Sequence, residues 1–465
     1  MGTYNKQSSL LAFTLPTTKL LVVGGGLSLL ALGLFALATY LAEKLSSSNI
    51  VGGTAITTFE QKLHSLVVPY WVALGILCIT IIVVYISLSD ATKVCNKVKR
   101  RLFLHKYGNP LLLKEHEALP RLKCKEIQKG LFELTIQATS SDVDAISKLS
   151  STISAGLNKK HKDYAITNAS ADVAFNEVVF TIEDVTRDKS LIVEDVNELR
   201  QSEPSRLIVQ QDTFIDLTTS GSMLVAGKTR SGKTTSVISL LEQALLYGRD
   251  NYASEIVIID PKKAELSRLP HTHTLTGNGE PTDILQAIKG FRDTMQKRQE
   301  VLNDLSEEDG DVVKWWDAGM HVSILFIDEY IACRTMFLKK SKETADCNIE
   351  LFDSYLKQIV TMGASAGCYA IISIAEASVN DGGLPAMLRS ACSTKILFKP
   401  TMPEARLIWD SEKLEEMNST RTYNAGDAWF SSTDGINDNV TFVHFPVLKF
   451  PAYSELRRLL EDYYK

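Results

Sequence analysis

The chain has 465 residues, 45% of them apolar and 23% charged, with a formal net charge of −5. Length allows two or three folded units on a prior of about 150 residues each, and the composition is that of an ordinary globular protein. A mildly acidic total excludes wholesale attraction to nucleic acid, so any DNA-handling role needs local basic surface. The seven cysteines (Cys78, Cys95, Cys124, Cys333, Cys347, Cys368 and Cys392) are scattered without a CxxC pair. That pattern fits reduced thiols better than a disulfide framework or a zinc site.

Leu20 to Ala42 carries no charge, and Leu66 to Ser89 is a second uncharged run with Pro69, Tyr70 and Trp71 near its outer end. At about 1.5 Å per residue each would reach roughly 34 to 36 Å, enough to cross a hydrocarbon core of about 30 Å. A cleaved signal peptide is the rival reading of the first run, but its length and the second run behind it favour a span. Lys93, Lys97, Lys99, Arg100, Arg101 and Lys106 follow the second run, whereas the intervening loop holds only Lys44 and Lys62. The positive-inside rule then predicts a two-pass protein of the cell membrane, with both termini and everything after residue 89 in the cytoplasm. Residues 1–106 are accordingly read as a membrane anchor. The basic run is topogenic charge in the first place, with contact to anionic headgroups as a further possibility.

Residues 107–204 show a mixed pattern. Leu131 to Thr139 alternates like a strand, Ile146, Leu149, Ile153 and Leu157 recur at helical spacing, and Ala174 to Ile182 reads as another strand. A small α+β domain is expected, an assembly or adaptor module with no catalytic constellation. Residues 205–465 change character. Short apolar runs recur at Met223–Ala226, Ile256–Ile259, Val322–Ile327, Tyr369–Ile374 and Lys395–Phe398, with helical segments between several of them. This alternation predicts an α/β fold, a parallel sheet covered on both faces.

Gly227-Lys228-Thr229-Arg230-Ser231-Gly232-Lys233-Thr234 fits GxxxxGK[ST] in full, after the strand at Met223–Ala226 and before the apolar helix Val237–Leu246. In such a loop the glycines let backbone N–H groups wrap a phosphate, and the helix N-terminus adds positive potential. Lys233 is expected at the β- and γ-phosphates of ATP and the Thr234 hydroxyl on Mg²⁺, with Thr235 completing the cradle. Ile324-Leu325-Phe326-Ile327-Asp328-Glu329 is an apolar strand ending in two acids. Asp328 is expected in the Mg²⁺ shell and Glu329 as the base that activates water. The expected fold is a RecA-like P-loop NTPase. His271 and His273 form an isolated HxH without a third ligand, and a metal role is rejected.

Asp260-Pro261-Lys262-Lys263-Ala264-Glu265-Leu266, at the end of a strand, resembles the DPKxxEL motif of the FtsK/SpoIIIE motors. Pro270-His271, Met295-Gln296-Lys297-Arg298 and Gly426-Asp427 are similar to further motifs of that family, and the set appears in the family's order. Where the family places a polar strand ending in TQRP, this chain reads Ala375-Glu376-Ala377-Ser378. A carboxylate at Glu376 cannot donate a hydrogen bond to a phosphate as an amide does. Arg389 and Lys395 are candidates, by position, for a trans-acting basic residue. Two spans, a compact adaptor and one motor resemble the TcpA-type conjugative coupling proteins of Gram-positive mobile elements. The resemblance implies a homo-hexameric ring and sequence-independent binding of DNA in its pore. Implied partners are a relaxase or relaxosome and the proteins of the conjugation channel. Two other readings stay open: an ATPase of a type VII-like secretion system, against which a single P-loop counts, and a nucleotide-binding membrane scaffold.

Overall fold

In the computed structural model the described residues are 89–465, apart from 104–109, 112, 115–118, 139–142, 173, 175, 376–384, 411–413, 415–416 and 418–422, with scattered positions between 26 and 79. The two apolar runs read as spans lie largely outside these residues. No helix among the described residues is long and apolar enough to cross a membrane. The chain divides into two compact units, Met1–Arg187 and Asp188–Lys465.

The first unit is built on four antiparallel strands, β1 (Leu122–Gln128), β2 (Leu131–Gln137), β3 (Tyr164–Ala171) and β4 (Glu177–Asp184), in the order β1-β2-β4-β3. Phe132, Leu134 and Ile136 of β2 and Val178, Phe180 and Ile182 of β4 alternate with period two onto one buried face. Helix α1 (Asp90–Phe103) brings Val94, Val98 and Leu102, four residues apart, into the same core. Its sequence had placed it with the anchor. The expected helix through Ile146 to Leu157 is broken into α2 (Val143–Ser147) and α3 (Ser150–Ser154), though all four apolar residues are buried.

The second unit holds three short strands, β5 (Ile192–Val193), β6 (Arg206–Gln210) and β7 (Thr213–Asp216), followed by an eight-stranded sheet. Its parallel part comprises β8 (Met223–Gly227), β9 (Ile256–Ile259), β10 (Thr272–His273), β11 (Ser323–Ile327), β12 (Cys368–Ile374) and β13 (Thr394–Phe398). All five expected strands are present. Strands β14 (Asp427–Ser432) and β15 (Thr441–His444) extend the sheet antiparallel beyond them, which gives the order β10-β9-β11-β12-β8-β13-β14-β15.

Alternation along these strands explains the two-sided cover. Met223, Val225, Ile258, Phe326 and Ile371 face one core, shared with helices α4 (Lys233–Leu245) and α10 (Ala452–Tyr463). Leu224, Ala226, Ile259, Ile327 and Ile372 face the other, shared with α5 (Thr282–Asp309), α6 (Tyr330–Thr335), α7 (Ile349–Met362) and α9 (Met402–Ile408). Val193, Val196 and Leu199 are buried in the first of these cores. The second unit therefore begins earlier than the boundary at residue 205 expected from composition.

Candidate functional site

The turn between β8 and α4 is shaped by two glycines. A Cβ on Gly227 would stand 2.7 Å from Phe398 Cβ and 3.0 Å from Ser231 Oγ. Gly232 has φ +93° and packs on the backbone of Gly426, whose Cα would lie 2.9 Å from an added Cβ. Both positions exclude a side chain, and Gly232 also needs the left-handed conformation. Gly426 N–H donates to the Ser231 carbonyl at 3.0 Å, so the GD turn braces the loop from behind. Asp427 next to it accepts from Asn424 N at 2.7 Å and is 2.8 Å from His444 Nδ1.

Lys228, Thr229, Arg230, Thr234 and Thr235 are exposed around this turn, while Ser231 and Lys233 are buried. Lys233 Nζ donates to Ser373 Oγ at 2.7 Å and to the Ile374 carbonyl at 3.2 Å. Ser373 in turn donates to Asp328 Oδ1 at 3.2 Å. One hydroxyl at the end of β12 thus joins the P-loop lysine to Asp328, the first of the two strand-end acids. Burial pushes the Asp328 carboxyl up; Lys233 opposes this and the nearby Glu329 and Asp260 carboxylates reinforce it. Glu329, at φ +55°, places Oε1 at 3.6 Å from Lys233 Nζ and 3.4 Å from Lys262 Nζ.

Strand register makes these neighbours. Ile259 pairs with Ile327, and Asp328 N–H donates to the Ile259 carbonyl at 3.0 Å, so the DPK turn and the two acids leave the sheet side by side. The fully buried Asp260 carboxylate accepts the N–H groups of Lys262 at 3.1 Å, Ala264 at 2.9 Å and Ser267 at 3.0 Å. Its part is to pin the turn that presents Lys262.

Other sequence candidates take different places. Arg298, 2% exposed, donates to the carbonyls of Ala366 and His321 at 2.8 and 2.7 Å and pairs with Asp250 at 3.2 Å, so it organises the core. His271 stacks on Tyr464 with ring centroids 3.8 Å apart, and His273 lies 3.2 Å from Asp283. Lys395 Nζ donates to the Ile408 carbonyl at 3.3 Å. Arg389 lies on the short helix α8 (Ala386–Ala391), half-buried. Glu376 lies outside the described residues. Sequence reading missed Ser373, although a lone hydroxyl in the run Ala370–Ile374 marks it.

A triphosphate fits these residues on two observations: the cradle closes wherever a Cβ is added at Gly227 or Gly232, and the buried Ser231 Oγ has no hydrogen-bond partner among the described residues. A phosphate-binding loop at a helix N-terminus, with its lysine beside two strand-end acids, defines a P-loop ATPase. Residues 192–372 match the model of the FtsK/SpoIIIE family, and this ATPase carries an FtsK/SpoIIIE domain.

Among solved structures, the pCW3 conjugation coupling protein TcpA, in a monomer form with ATPγS, aligns at 14% identity over 79% of this chain and 99% of its own, with a TM-score of 0.46. Thermomonospora curvata EccC (ATPases 2 and 3), in complex with a signal sequence peptide, aligns at 14% identity over 64% of this chain and 50% of its own, with a TM-score of 0.38. The cytoplasmic domain of EssC aligns at 13% identity over 54% of this chain and 45% of its own, with a TM-score of 0.37. None of the curated proteins matches the sequence.

Proposed function

We propose that this protein is a membrane-anchored, ATP-driven DNA translocase that feeds DNA to a conjugative transfer channel. The observation that carries the reading is the convergence of Lys233, Ser373, Asp328 and Glu329 at the strand ends of an FtsK/SpoIIIE domain. The ordered family motifs and the two uncharged runs ahead of the motor support the finer assignment.

Lys233 binds the β- and γ-phosphate oxygens, and the first turn of α4, where Thr234 and Thr235 are exposed, orients them with its N–H groups. Glu329 orients a water and takes its proton. Thr234 and Asp328 would hold Mg²⁺, which when bound supplies positive charge to the phosphate oxygens. Ser373 keeps Lys233 and Asp328 in register. Assembly into a ring, probed by mass photometry, and phosphate contacts from lysines and arginines complete the proposal.

The test is turnover by the purified full chain with and without duplex DNA, over a series of salt concentrations. Stimulation by DNA that weakens with salt and disappears in Lys233→Ala is the expected result. No DNA binding at low salt overturns the translocase, and a DNA-indifferent enzyme stimulated by peptide identifies a secretion motor instead.

A further inference from the structure

Glu329 receives two lysines from two separate elements, Lys233 at the start of α4 and Lys262 in the turn after β9. Lys233 is 7% exposed and already engages Ser373 and Ile374, and phosphate oxygens compete for the same ammonium. Lys262 differs in each respect. Its side chain is half exposed, it has no partner in the P-loop, and it reaches the Glu329 carboxylate from the neighbouring strand end at 3.4 Å. Its backbone is fixed by the three N–H bonds to the buried Asp260, one of them its own. Glu329 meanwhile sits in the left-handed region at φ +55°, and Lys233 and Lys262 are the two ammonium groups beside its carboxylate.

We propose that Lys262 is a positioning residue for hydrolysis: it holds the Glu329 carboxylate in place when a bound triphosphate draws Lys233 away. The proposal rests on the reading of Glu329 as the general base. It gives the DPK turn a chemical purpose in which the aspartate is the anchor and the lysine the working group. A flexible ammonium beside a carboxylate acts as a point charge, and an arginine at the same place keeps that charge. Lys262 touches no reacting atom and acts only through Glu329.

The experiment compares Lys262→Met, Lys262→Arg and Glu329→Gln in the purified full chain, following turnover and binding of a fluorescent ATP analogue. Misaiming a general base removes part of a contribution of about 10²–10⁴-fold, so kcat of Lys262→Met is expected to fall on the order of tenfold. KM and analogue affinity should stay within about twofold, because phosphate binding is left to Lys233. Lys262→Arg should recover most of kcat. Unchanged kcat in Lys262→Met, a loss expressed in KM, or an arginine variant as impaired as the methionine variant each overturns the proposal. Glu329→Gln separates the two levels. If it binds nucleotide without turning it over, the base reading stands whatever Lys262 does; if it still hydrolyses ATP, that reading fails and the proposal with it.

Discussion

Gly232 of the phosphate loop and Gly426 of the distant GD turn pack backbone against backbone, with the Gly426 Cα 2.9 Å from where a Cβ of residue 232 would be. The loop is therefore shaped from outside as well as by its own sequence. Gly232→Ala is expected to combine this clash with strain at φ +93°, on the order of 1–3 kcal/mol. A fluorescent-nucleotide titration should show affinity reduced by about tenfold or more, with a lowered Tm alongside.

Ser373 of β12 links the lysine at the start of α4 to the acid that follows β11 through a single hydroxyl. Its removal in Ser373→Ala leaves Lys233 and Asp328 without their common partner. We expect kcat to drop about tenfold while KM for ATP changes less, since the cradle itself is intact. Ser373→Thr retains the hydroxyl and should recover turnover in the same assay.

Arg298 and Asp250 form an ion pair at 2% and 3% side-chain exposure, with three backbone carbonyls around the guanidinium. Breaking such a pair from one side leaves a buried charge and costs about 3–5 kcal/mol. Arg298→Met should lower the denaturation midpoint accordingly. For the proposed translocase, the salt dependence of any DNA binding should be the same in this variant, because Arg298 faces the core.

Glu242 of α4 is fully buried, and neither carboxyl oxygen has a hydrogen-bond partner among the described residues. Burial, reinforced by the Glu455 carboxylate, pushes it up to about 8 from an ordinary value of 4.5. In that window the folded chain holds a proton that the unfolded chain has lost. Stability therefore falls as pH rises from about 4.5 to about 8. Glu242→Gln removes the titration. Melting curves should show the variant more stable than wild type at pH 8, with the gap closing towards pH 5.

The catalytic strands were legible because fully buried parallel strands read as continuous apolar runs, and each ended where its chemistry begins: Gly227, Asp260 and Asp328. What sequence order conceals is adjacency. Nothing along the chain says that Gly426 touches Gly232, or that Lys262 meets Glu329, because both contacts depend on strand order and register. Arg298 belonged to a recognisable motif, yet its burial beside Asp250 is set by tertiary packing. The unit boundary was misplaced because residues 188–204 look polar overall while Val193, Val196 and Leu199 each reach the core. Strands β14 and β15 were missed for a related reason. Their apolar stretches, Ala428–Phe430 and Phe442–Val443, are shorter than most runs of the parallel strands and are bounded by Asp427, Ser431, Thr441 and His444.

The parallel strands carry their phosphate-handling groups at one end, and the opposite rim, near Ser222, Glu255 and Cys368, holds none of those groups. Val312 sits towards that far rim, 65% exposed, beside Trp316. A cysteine-reactive dye, a spin label or a surface tether introduced there would report tumbling and assembly while the hydrolytic end turns over undisturbed. The fold thus offers an experimental handle on its quiet side.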